Sequence, residues 1–369
     1  MSSDVLLTIS GTIPDNLRQD IAAGKRPCAD YIAMADHFGQ TDLIDYPEAL
    51  AKVGWFGKLL HRFGGNAVML AWYCFTVRHQ YKVIFTDGEQ IGLPLALMLK
   101  FLGRFGRRPQ HLMIVHILSV PKKQLVVDLF RLQTHIDIFF VYATWQKKFI
   151  QDRWNLPSER VPFTPFMVDE QFFTLDQAQT ADVDLKSLGI DYGDKPMICS
   201  VGLEFRDYPT LIEAIEGLDA HFILAAGSPW SKRSDSTADQ VIPDNVTIKR
   251  FTHYELRQVY TQSSLVAMPL YNVNFQAGVT TLLEAMAMGK AVVCSRTPGQ
   301  TDVVVGDRSG IYVTPEDPAE LRAAIIELLN NPDKAAEMGR EGRKIIDDYM
   351  SLTHYKERLK QFVDEARQK

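Results

Sequence analysis

The amino-acid sequence predicts an α/β fold with two Rossmann-like βαβ domains that face each other across a cleft. Short apolar runs alternate with longer amphipathic stretches along the chain, a pattern typical of parallel sheets whose strands are joined by crossover helices. The length of 369 residues predicts two domains at about 100–200 residues each. A hydrophobic share of 46% is that of an ordinary globular protein.

The elements follow from these runs in chain order, short β-rich runs being strands and amphipathic stretches helices. In the first half the strands are Val5–Ser10, Val68–Trp72, Val83–Thr86, Leu112–His116 and Ile138–Tyr142, with helices at Ile91–Phe101 and Ala143–Trp154. In the second half the strands are Met197–Val201, His221–Ala226, Val246–Arg250, Leu265–Pro269, Lys290–Ser295 and Gly310–Val313. The helices there are Tyr208–Glu216, Tyr254–Ser263, Thr280–Met288 and Pro318–Leu329, followed by a last helical segment at Tyr349–Arg367.

A polar stretch without periodicity, near Pro165–Gly193, separates the two halves. We therefore predict an N-terminal, acceptor-side domain over residues 1–168 and a C-terminal domain over residues 169–345. Residues 346–369 are expected to form a helix that packs back on the N-terminal domain.

The cysteines and the apolar runs predict a cytoplasmic protein. The four cysteines form no CxxC pair, which is typical of a reducing compartment and gives no thiolate metal site. The longest apolar run, Ala67–Phe75, has 9 residues, whereas a spanning helix needs about 20. The N-terminus lacks the basic flank and the apolar stretch of a signal peptide.

Several common catalytic motifs are absent from the sequence. It contains no GxGxxG after a strand, no GxxxxGK[ST] and no HExxH, which argues against a dinucleotide dehydrogenase, a P-loop kinase and a zinc protease. A DxD occurs at Asp182–Asp184, but it lies inside the polar stretch, where rigid converging carboxylates are not expected. We therefore expect no metal ion.

The most informative run is NFQAGVTTLLEAMAMGKAVV, Asn274–Val293. It predicts a loop, a helix from about Val279 to Met288, and a buried strand. Small residues in its first turn let an anion approach the free backbone N–H groups at the helix start. Glu284 lies four residues after Thr280 on the same face, where its carboxylate can accept hydrogen bonds from ribose hydroxyls. The alternative is a solvent-facing Glu, although apolar neighbours make an unpaired carboxylate costly there.

This run resembles the signature of retaining glycosyltransferases of family four, which have the two-Rossmann-domain GT-B fold. Three further segments resemble that family: Val141–Phe173, Ser200–Ile215 and Asn245–Leu270. In the family, two glutamates eight positions apart flank the helix start, the first contacting the donor sugar and the second the ribose. Glu284 matches the second, whereas Gln276 stands at the first. The resemblance implies a metal-independent, retaining hexosyltransferase without a cofactor, which uses a nucleotide-diphosphate sugar as co-substrate.

The resemblance also implies roles for residues of the C-terminal half. Arg206, after the Gly202 turn, would hold the donor diphosphate; the alternative is a surface Arg paired with Asp207 or Glu204. Many relatives carry a second Arg where this chain has Leu203, and Lys232 is a candidate substitute. The candidate donor-binding residues are Gly202, Arg206, Lys232, Arg250, Phe251, Gly278, Val279, Thr280 and Glu284.

The candidate catalytic residues are His116, Arg206 and Gln276. His116 ends a strand and matches a histidine that lines the donor-sugar pocket in the family; the alternative is a core histidine. Gln276 can hydrogen-bond sugar hydroxyls but cannot stabilise positive charge at the anomeric carbon. On the acceptor side the candidates are Gly11, Asp87 and Glu89, the two carboxylates having helix capping as their alternative. The histidines expected on the surface are His61, His79 and His111.

The acceptor and the partners are less well defined. We expect transfer to a lipid or a small glycoside; the alternatives are a nucleotide-sugar-binding protein with weak or no transferase activity, and a nucleotide-sugar epimerase. Residues 51–150 carry 14 Lys and Arg against 4 Asp and Glu, although the whole chain has a net charge of −5. Bases and large apolar residues interleave over residues 51–108, a pattern compatible with peripheral docking on the anionic inner face of a membrane. The alternative, which the pattern favours, is an ordinary helix with a solvated basic face. Nucleic acid is not expected, because the resembled family explains the domain without it.

Overall fold

The structure is a computed structural model that describes residues 3–103, 108–179, 184–225 and 242–369. The chain forms two compact units. The N-terminal unit contains residues 1–18, 29–164 and 355–369, and the C-terminal unit contains residues 19–28 and 165–354. Residues 346–354, which the sequence analysis grouped with the last helix, belong to the C-terminal unit.

Strands and helices alternate along most of the chain. The strands are β1 (Val5–Thr8), β2 (Thr41–Ile44), β3 (Val83–Thr86), β4 (Gln110–Val115), β5 (Ile138–Val141), β6 (Met197–Val201), β7 (His221–Ala225), β8 (Val246–Ile248), β9 (Leu265–Met268), β10 (Val292–Ser295) and β11 (Gly310–Val313). The helices are α1 (Leu17–Ala22), α2 (Asp30–Phe38), α3 (Tyr46–Lys52), α4 (Trp55–Val77), α5 (Glu89–Phe101), α6 (Pro121–Phe130), α7 (Thr144–Trp154), α8 (Leu175–Gln179), α9 (Tyr208–Ile215), α10 (His253–Gln262), α11 (Val279–Ala287), α12 (Pro318–Asn330), α13 (Pro332–Ile345) and α14 (Leu352–Gln368).

The N-terminal unit is built on a five-stranded sheet with the strand order β2-β1-β3-β4-β5. All its strand pairs are parallel, and the central strands are buried, as expected when helices cover both faces of a sheet. The strand order reverses between β1 and β3, and ligands of such sheets bind beyond the carboxyl ends of the strands at this reversal. The residues that follow Thr8 and Thr86 are therefore placed at a ligand-binding edge.

The C-terminal unit is built on a six-stranded sheet with the order β11-β10-β9-β6-β7-β8. Its pairs are also parallel, so both predicted Rossmann-like sheets are confirmed. The order reverses between β6 and β9, and this reversal places the segments after Val201 and Met268 side by side at the carboxyl edge. Apolar cores fill both faces of the sheet.

The last helix, α14, starts with residues 352–354 of the C-terminal unit and continues from Tyr355 in the N-terminal unit. Within the N-terminal unit, the Tyr355 and Tyr142 hydroxyl oxygens are 2.9 Å apart, and the Phe362 ring packs edge-on against Phe140 with 5.3 Å between centroids. Near the end of the helix, Arg367 Nε donates to Asp4 Oδ1 at 3.0 Å. These contacts fasten residues 355–369 to the N-terminal sheet.

Two expectations about the N-terminal half are wrong. Val68–Trp72 lies inside α4 rather than in a strand, because a short apolar run does not distinguish a strand from a buried helix segment. His111 is fully buried rather than on the surface, with its Nε2 3.0 Å from the Thr86 hydroxyl and its Nδ1 3.1 Å from the His135 carbonyl oxygen. Burial lowers the pKa of His111 to about 4, so the ring is neutral at pH 7.

Candidate functional site

The loop after β6 carries Arg206 across the carboxyl edge of the C-terminal sheet. The backbone of Arg206 forms an isolated bridge with Leu270, which ties this loop to the segment after β9. The side chain is 5% exposed, so Arg206 is not the surface arginine of the alternative interpretation. Its neighbour Asp207 is engaged in capping α9, accepting from the Thr210 backbone N–H at 3.2 Å.

The Arg206 guanidinium is held entirely by neutral oxygen atoms. Its Nε donates to the Val201 carbonyl at 2.8 Å, Nη1 to the Glu204 carbonyl at 2.9 Å and Nη2 to the Thr281 hydroxyl at 3.4 Å. Among the described residues, no carboxylate forms an ion pair with it. Burial lowers the pKa of Arg206, yet a guanidinium keeps its proton in proteins. The site therefore holds a buried positive charge whose hydrogen-bond partners are all neutral, an arrangement that favours an anionic ligand.

The Arg206 guanidinium occupies space that is open only because Gly202 and Gly278 have no side chains. A Cβ atom on Gly202 would lie 2.4 Å from Arg206 Nη2, and one on Gly278 would lie 2.7 Å from Nη1. Both glycines also have left-handed backbone angles, with φ of 101° and 73°, which side-chain-bearing residues rarely adopt. The sequence therefore needs glycine at both positions to bring the two loops against Arg206.

The start of α11 lies beside this guanidinium. Gly278 is the N-cap residue, and no side chain caps the helix, so the N–H groups of its first turn remain available to a ligand. Thr280, in that first turn, is exposed, whereas Thr281 is buried and binds Arg206. The helix start and the guanidinium together present positive electrostatic potential at one place.

Glu284 lies one turn further along α11 and is buried, with 5% of its surface exposed. The Tyr260 hydroxyl donates to its Oε2 at 2.7 Å; within the described part of the chain, Oε1 has no hydrogen-bond donor. Burial raises the pKa of Glu284 to about 7, even though Tyr260 and the charge of Arg206 both favour the ionised form. The solvent-facing alternative therefore does not hold, and Oε1 is free to accept from a ligand hydroxyl.

The loop that carries Gln276 is supported by the turn that contains Gly299 and Gln300, which was not predicted as part of the site. The Gln300 amide donates to the Ala277 carbonyl, and the Tyr312 hydroxyl donates to the Gln300 carbonyl at 2.5 Å. A Cβ atom on Gly299 would lie 2.2 Å from the Phe275 carbonyl oxygen. Gln300 and Gly299 are therefore positioning residues for the start of α11. Their place directly after β10, at the same sheet edge, is the signal that would have identified them.

The other expected donor-side residues are less closely placed. Phe251 packs against the core and the neighbouring Arg250 is exposed; both follow β8 at the edge of the sheet. Lys232 lies outside the described residues, as does Asp182 of the DxD motif. Asp184 is exposed, and its Oδ1 accepts from the Lys186 N–H at 3.2 Å in a local turn.

At the carboxyl edge of the N-terminal sheet, His116 pairs with Asp87. His116 Nε2 lies 3.3 Å from Asp87 Oδ1, and Asp87 Oδ2 accepts from the Ser10 N–H at 3.3 Å. Burial lowers the pKa of His116, but the negative charges of Asp87 and Glu89 outweigh burial and raise it. Both side chains of the pair are partly exposed, so a ligand can reach the proton that they share.

Glu89 supports this pair rather than facing solvent. Its side chain is 1% exposed; it accepts from the His116 and Ile117 N–H groups at 3.0 Å and 2.8 Å and from Lys123 Nζ at 2.6 Å. Both carboxylate oxygens are thus engaged in holding the His116 segment. Of the two expected acceptor-side carboxylates, only Asp87 is partly exposed.

A third carboxylate, Asp30 at the first position of α2, interacts electrostatically with both members of this pair and was not predicted from the sequence. Burial and the charge of Asp87 raise the pKa of Asp30 to about 6. Gly11 follows β1 at the same edge, where its carbonyl accepts from the Tyr46 N–H at 3.1 Å. A histidine and two carboxylates at one sheet edge can exchange protons with hydroxyl groups and hydrogen-bond them.

The sequence of the C-terminal unit resembles that of a known protein family. Residues 188–345 match the family described as Glycosyl transferases group 1. This part of the chain is therefore similar to group 1 glycosyltransferases. The matched segment contains Arg206, the start of α11 and Glu284, which are the elements of the candidate donor site. Over 233 residues the chain is 26% identical to the D-inositol 3-phosphate glycosyltransferase of Corynebacterium jeikeium, covering 59% of this chain and 53% of that protein. The chain thus spans about half the length of this curated relative.

Solved structures show that the glycosyltransferase likeness extends to the fold of the whole chain. The sucrose-phosphate synthase of Thermosynechococcus elongatus matches with a TM-score of 0.72 and 18% identity, covering 98% of each chain. Anabaena HepE in complex with UDP-glucose matches with a TM-score of 0.72 and 15% identity, covering 98% of this chain and 99% of that one. At these identities the likeness concerns the fold, which is GT-B.

Proposed function

We propose that this protein is a retaining, metal-independent glycosyltransferase that moves a sugar from a nucleotide-diphosphate donor to the hydroxyl group of a lipid or a small glycoside. The observation that carries the proposal is the Arg206 guanidinium, buried between two glycines with only neutral oxygen partners. A diphosphate supplies the missing negative charge, and it can bind a guanidinium through two oxygens at once.

The donor side follows from the geometry around α11. A diphosphate at the helix start accepts from the free N–H groups of the first turn, while the donor's ribose hydroxyls reach Glu284 Oε1 one turn along. As the bond to the anomeric carbon breaks, negative charge grows on the leaving diphosphate. Arg206 and the helix start are already oriented to stabilise it, which is the task that a metal ion performs in metal-dependent transferases. The UDP-glucose complex of Anabaena HepE, a protein of the same fold, supports a nucleotide sugar as donor.

The acceptor side is the cluster of His116, Asp87 and Asp30. Carboxylates accept hydrogen bonds from sugar or polyol hydroxyls, and the pair of His116 and Asp87 can take up a proton from an attacking hydroxyl. Retention rests on the resemblance of Asn274–Val293 to the retaining family.

The test is a panel of nucleotide sugars, incubated with and without candidate acceptors, in which released nucleoside diphosphate is measured. We expect release with one donor class, stimulated by an acceptor, and NMR of the product should show the donor's anomeric configuration. Arg206→Gln should abolish release. Arg322→Gln is the matched control, because Arg322 also binds two backbone carbonyls in the same unit and lies outside the site.

Gln276, which stands where the resembled family has a glutamate, favours one alternative: a nucleotide-sugar-binding protein without transferase activity. Measurable donor binding with no release from any donor would establish that alternative and refute the proposed transfer. Inversion of configuration would refute retention alone.

A further inference from the structure

The first half of α4 exposes its largest apolar side chains to solvent. Trp55 is 78% exposed, Phe63 80% and Leu59 42%. The helix is broken at Gly65, which has a φ of 74°, and the Phe56 ring packs against Trp72 across this break with 4.9 Å between centroids. The segment before the break is therefore anchored to the rest of the unit while its aromatic residues point outward.

Helical geometry places these exposed side chains on one stripe. At about 3.6 residues per turn, Trp55, Leu59 and Phe63 follow one another with a drift of only about 40° per step. Gly57 lies about 200° from Trp55 on the same helix and is buried, close to Val53. The most apolar stripe of the segment thus faces away from the unit, the reverse of what a helix packed on a globular core shows.

Basic residues flank this stripe. Lys58 and Arg62 are exposed and lie within about 60° of Trp55 around the helix. The sequence contains no Asp or Glu between Glu48 and Asp87, and no described residue forms an ion pair with Lys58 or Arg62. Lys52, before the helix, is by contrast paired with Glu48 at 2.6 Å. The apolar stripe is therefore bordered by positive charges that no described acidic side chain neutralises.

We infer that this outer face of α4, formed by Trp55, Lys58, Leu59, Arg62 and Phe63, docks on the surface of an anionic phospholipid bilayer. Trp and Phe side chains insert at the level of the headgroups, and Lys and Arg beside them bind the lipid phosphates. In the described part of the chain no helix has the length and apolarity to cross a bilayer. The inferred mode is docking in the plane of the surface, and it is independent of the donor chemistry proposed above.

The experiment is co-sedimentation of the full chain with vesicles of phosphatidylcholine alone or mixed with phosphatidylglycerol. We expect binding only to the mixed vesicles at low salt, and loss of binding at about 1 M salt, where the Debye length falls to about 3 Å. Trp55→Ser/Phe63→Ser and Lys58→Glu/Arg62→Glu should each weaken binding by at least about tenfold. Tryptophan fluorescence of the wild type should be quenched by brominated lipids, and less so for Trp55→Phe.

Two exposed positions away from α4 serve as matched controls. Lys148→Glu reverses a basic side chain that is 79% exposed, and Tyr349→Ser removes an aromatic one that is 63% exposed; both variants should bind vesicles as the wild type does. Absence of wild-type binding to anionic vesicles, equal binding to phosphatidylcholine alone, unchanged binding of the α4 variants, or equal loss in the controls would overturn the inference. Nucleoside diphosphate affinity, measured without lipid, reports separately on the donor site and should be the same in all variants.

Discussion

Replacement of Glu284 by Gln should stabilise the protein at alkaline pH and have little effect at acid pH. Glu284 is buried, and its pKa rises from the ordinary value of 4.5 to about 7. Between these two values the folded protein binds a proton that the unfolded chain releases, so stability falls as pH rises through this window. The change in pKa corresponds to about 3 kcal/mol.

Glutamine suits this test because it keeps the shape of the side chain and one oxygen. That oxygen can still accept from the Tyr260 hydroxyl, which donates to Glu284 Oε2 at 2.7 Å, and no charge has to be buried. The free energy of unfolding in urea, measured at pH 4.5 and pH 8, should therefore show the Glu284→Gln advantage growing by about 3 kcal/mol between the two pH values.

The matched control is Glu213→Gln, which removes an exposed carboxylate from α9 in the same unit. A surface substitution of this kind changes stability by about 0.5 kcal/mol or less. A stability advantage of Glu284→Gln that does not change with pH would refute the reasoning that Glu284 is a buried, ionisable carboxylate available to a ligand. A loss of stability in this variant at pH 8 would refute it as well.

Two further predictions concern the two sheet edges. Gly278→Ala should weaken donor binding by at least about tenfold, because its Cβ would lie 2.7 Å from the Arg206 guanidinium. The control Gly289→Ala, at a similar φ of 64° and with nothing within 4 Å of its Cβ, should cost about 1 kcal/mol of stability and leave donor binding intact. Equal donor binding by both variants would contradict the claim that Gly278 leaves room for the guanidinium. Asp87→Asn should lower the pKa of His116 and that of Asp30 together, because the Asp87 charge raises both. NMR titration measures both values. A fall in the pKa of only one of the two residues would contradict a common interaction with Asp87.

Much of the fold follows from local sequence, and the exceptions have physical reasons. Strands such as Val83–Thr86 and Met197–Val201 were predicted with their bounds, because buried parallel strands are compact runs of apolar residues. Strand β2 was missed, since Thr41 and Asp42 give it little apolar character and its pairing with β1 is a long-range contact. The error at Val68–Trp72 arises because the inner half of α4 is buried as deeply as a strand.

In the candidate sites too, local sequence predicts some features, whereas others depend on contacts that only the fold creates. The helix start at Gly278 and the carboxylate of Glu284 were predicted from one continuous run of sequence. Two contacts depend on the strand order β9-β6, which spacing along the chain does not give. They are the closeness of Arg206 to both glycines and the hydrogen bond that the Tyr260 hydroxyl donates to Glu284. Asp30 escaped prediction for a related reason: it lies on α2, far in sequence from Asp87, and the fold alone brings their charges together.

The proposed role of Arg206 is to hold the diphosphate of a nucleotide ligand. The most direct measurement is the calorimetric affinity of nucleoside diphosphates for the wild type, Arg206→Gln and the control Arg322→Gln. A charge-assisted hydrogen bond to the phosphate contributes about 1.5–3 kcal/mol, so we expect binding that is about 10- to 100-fold weaker in Arg206→Gln and unchanged in Arg322→Gln. Equal affinity of Arg206→Gln and the wild type would contradict it.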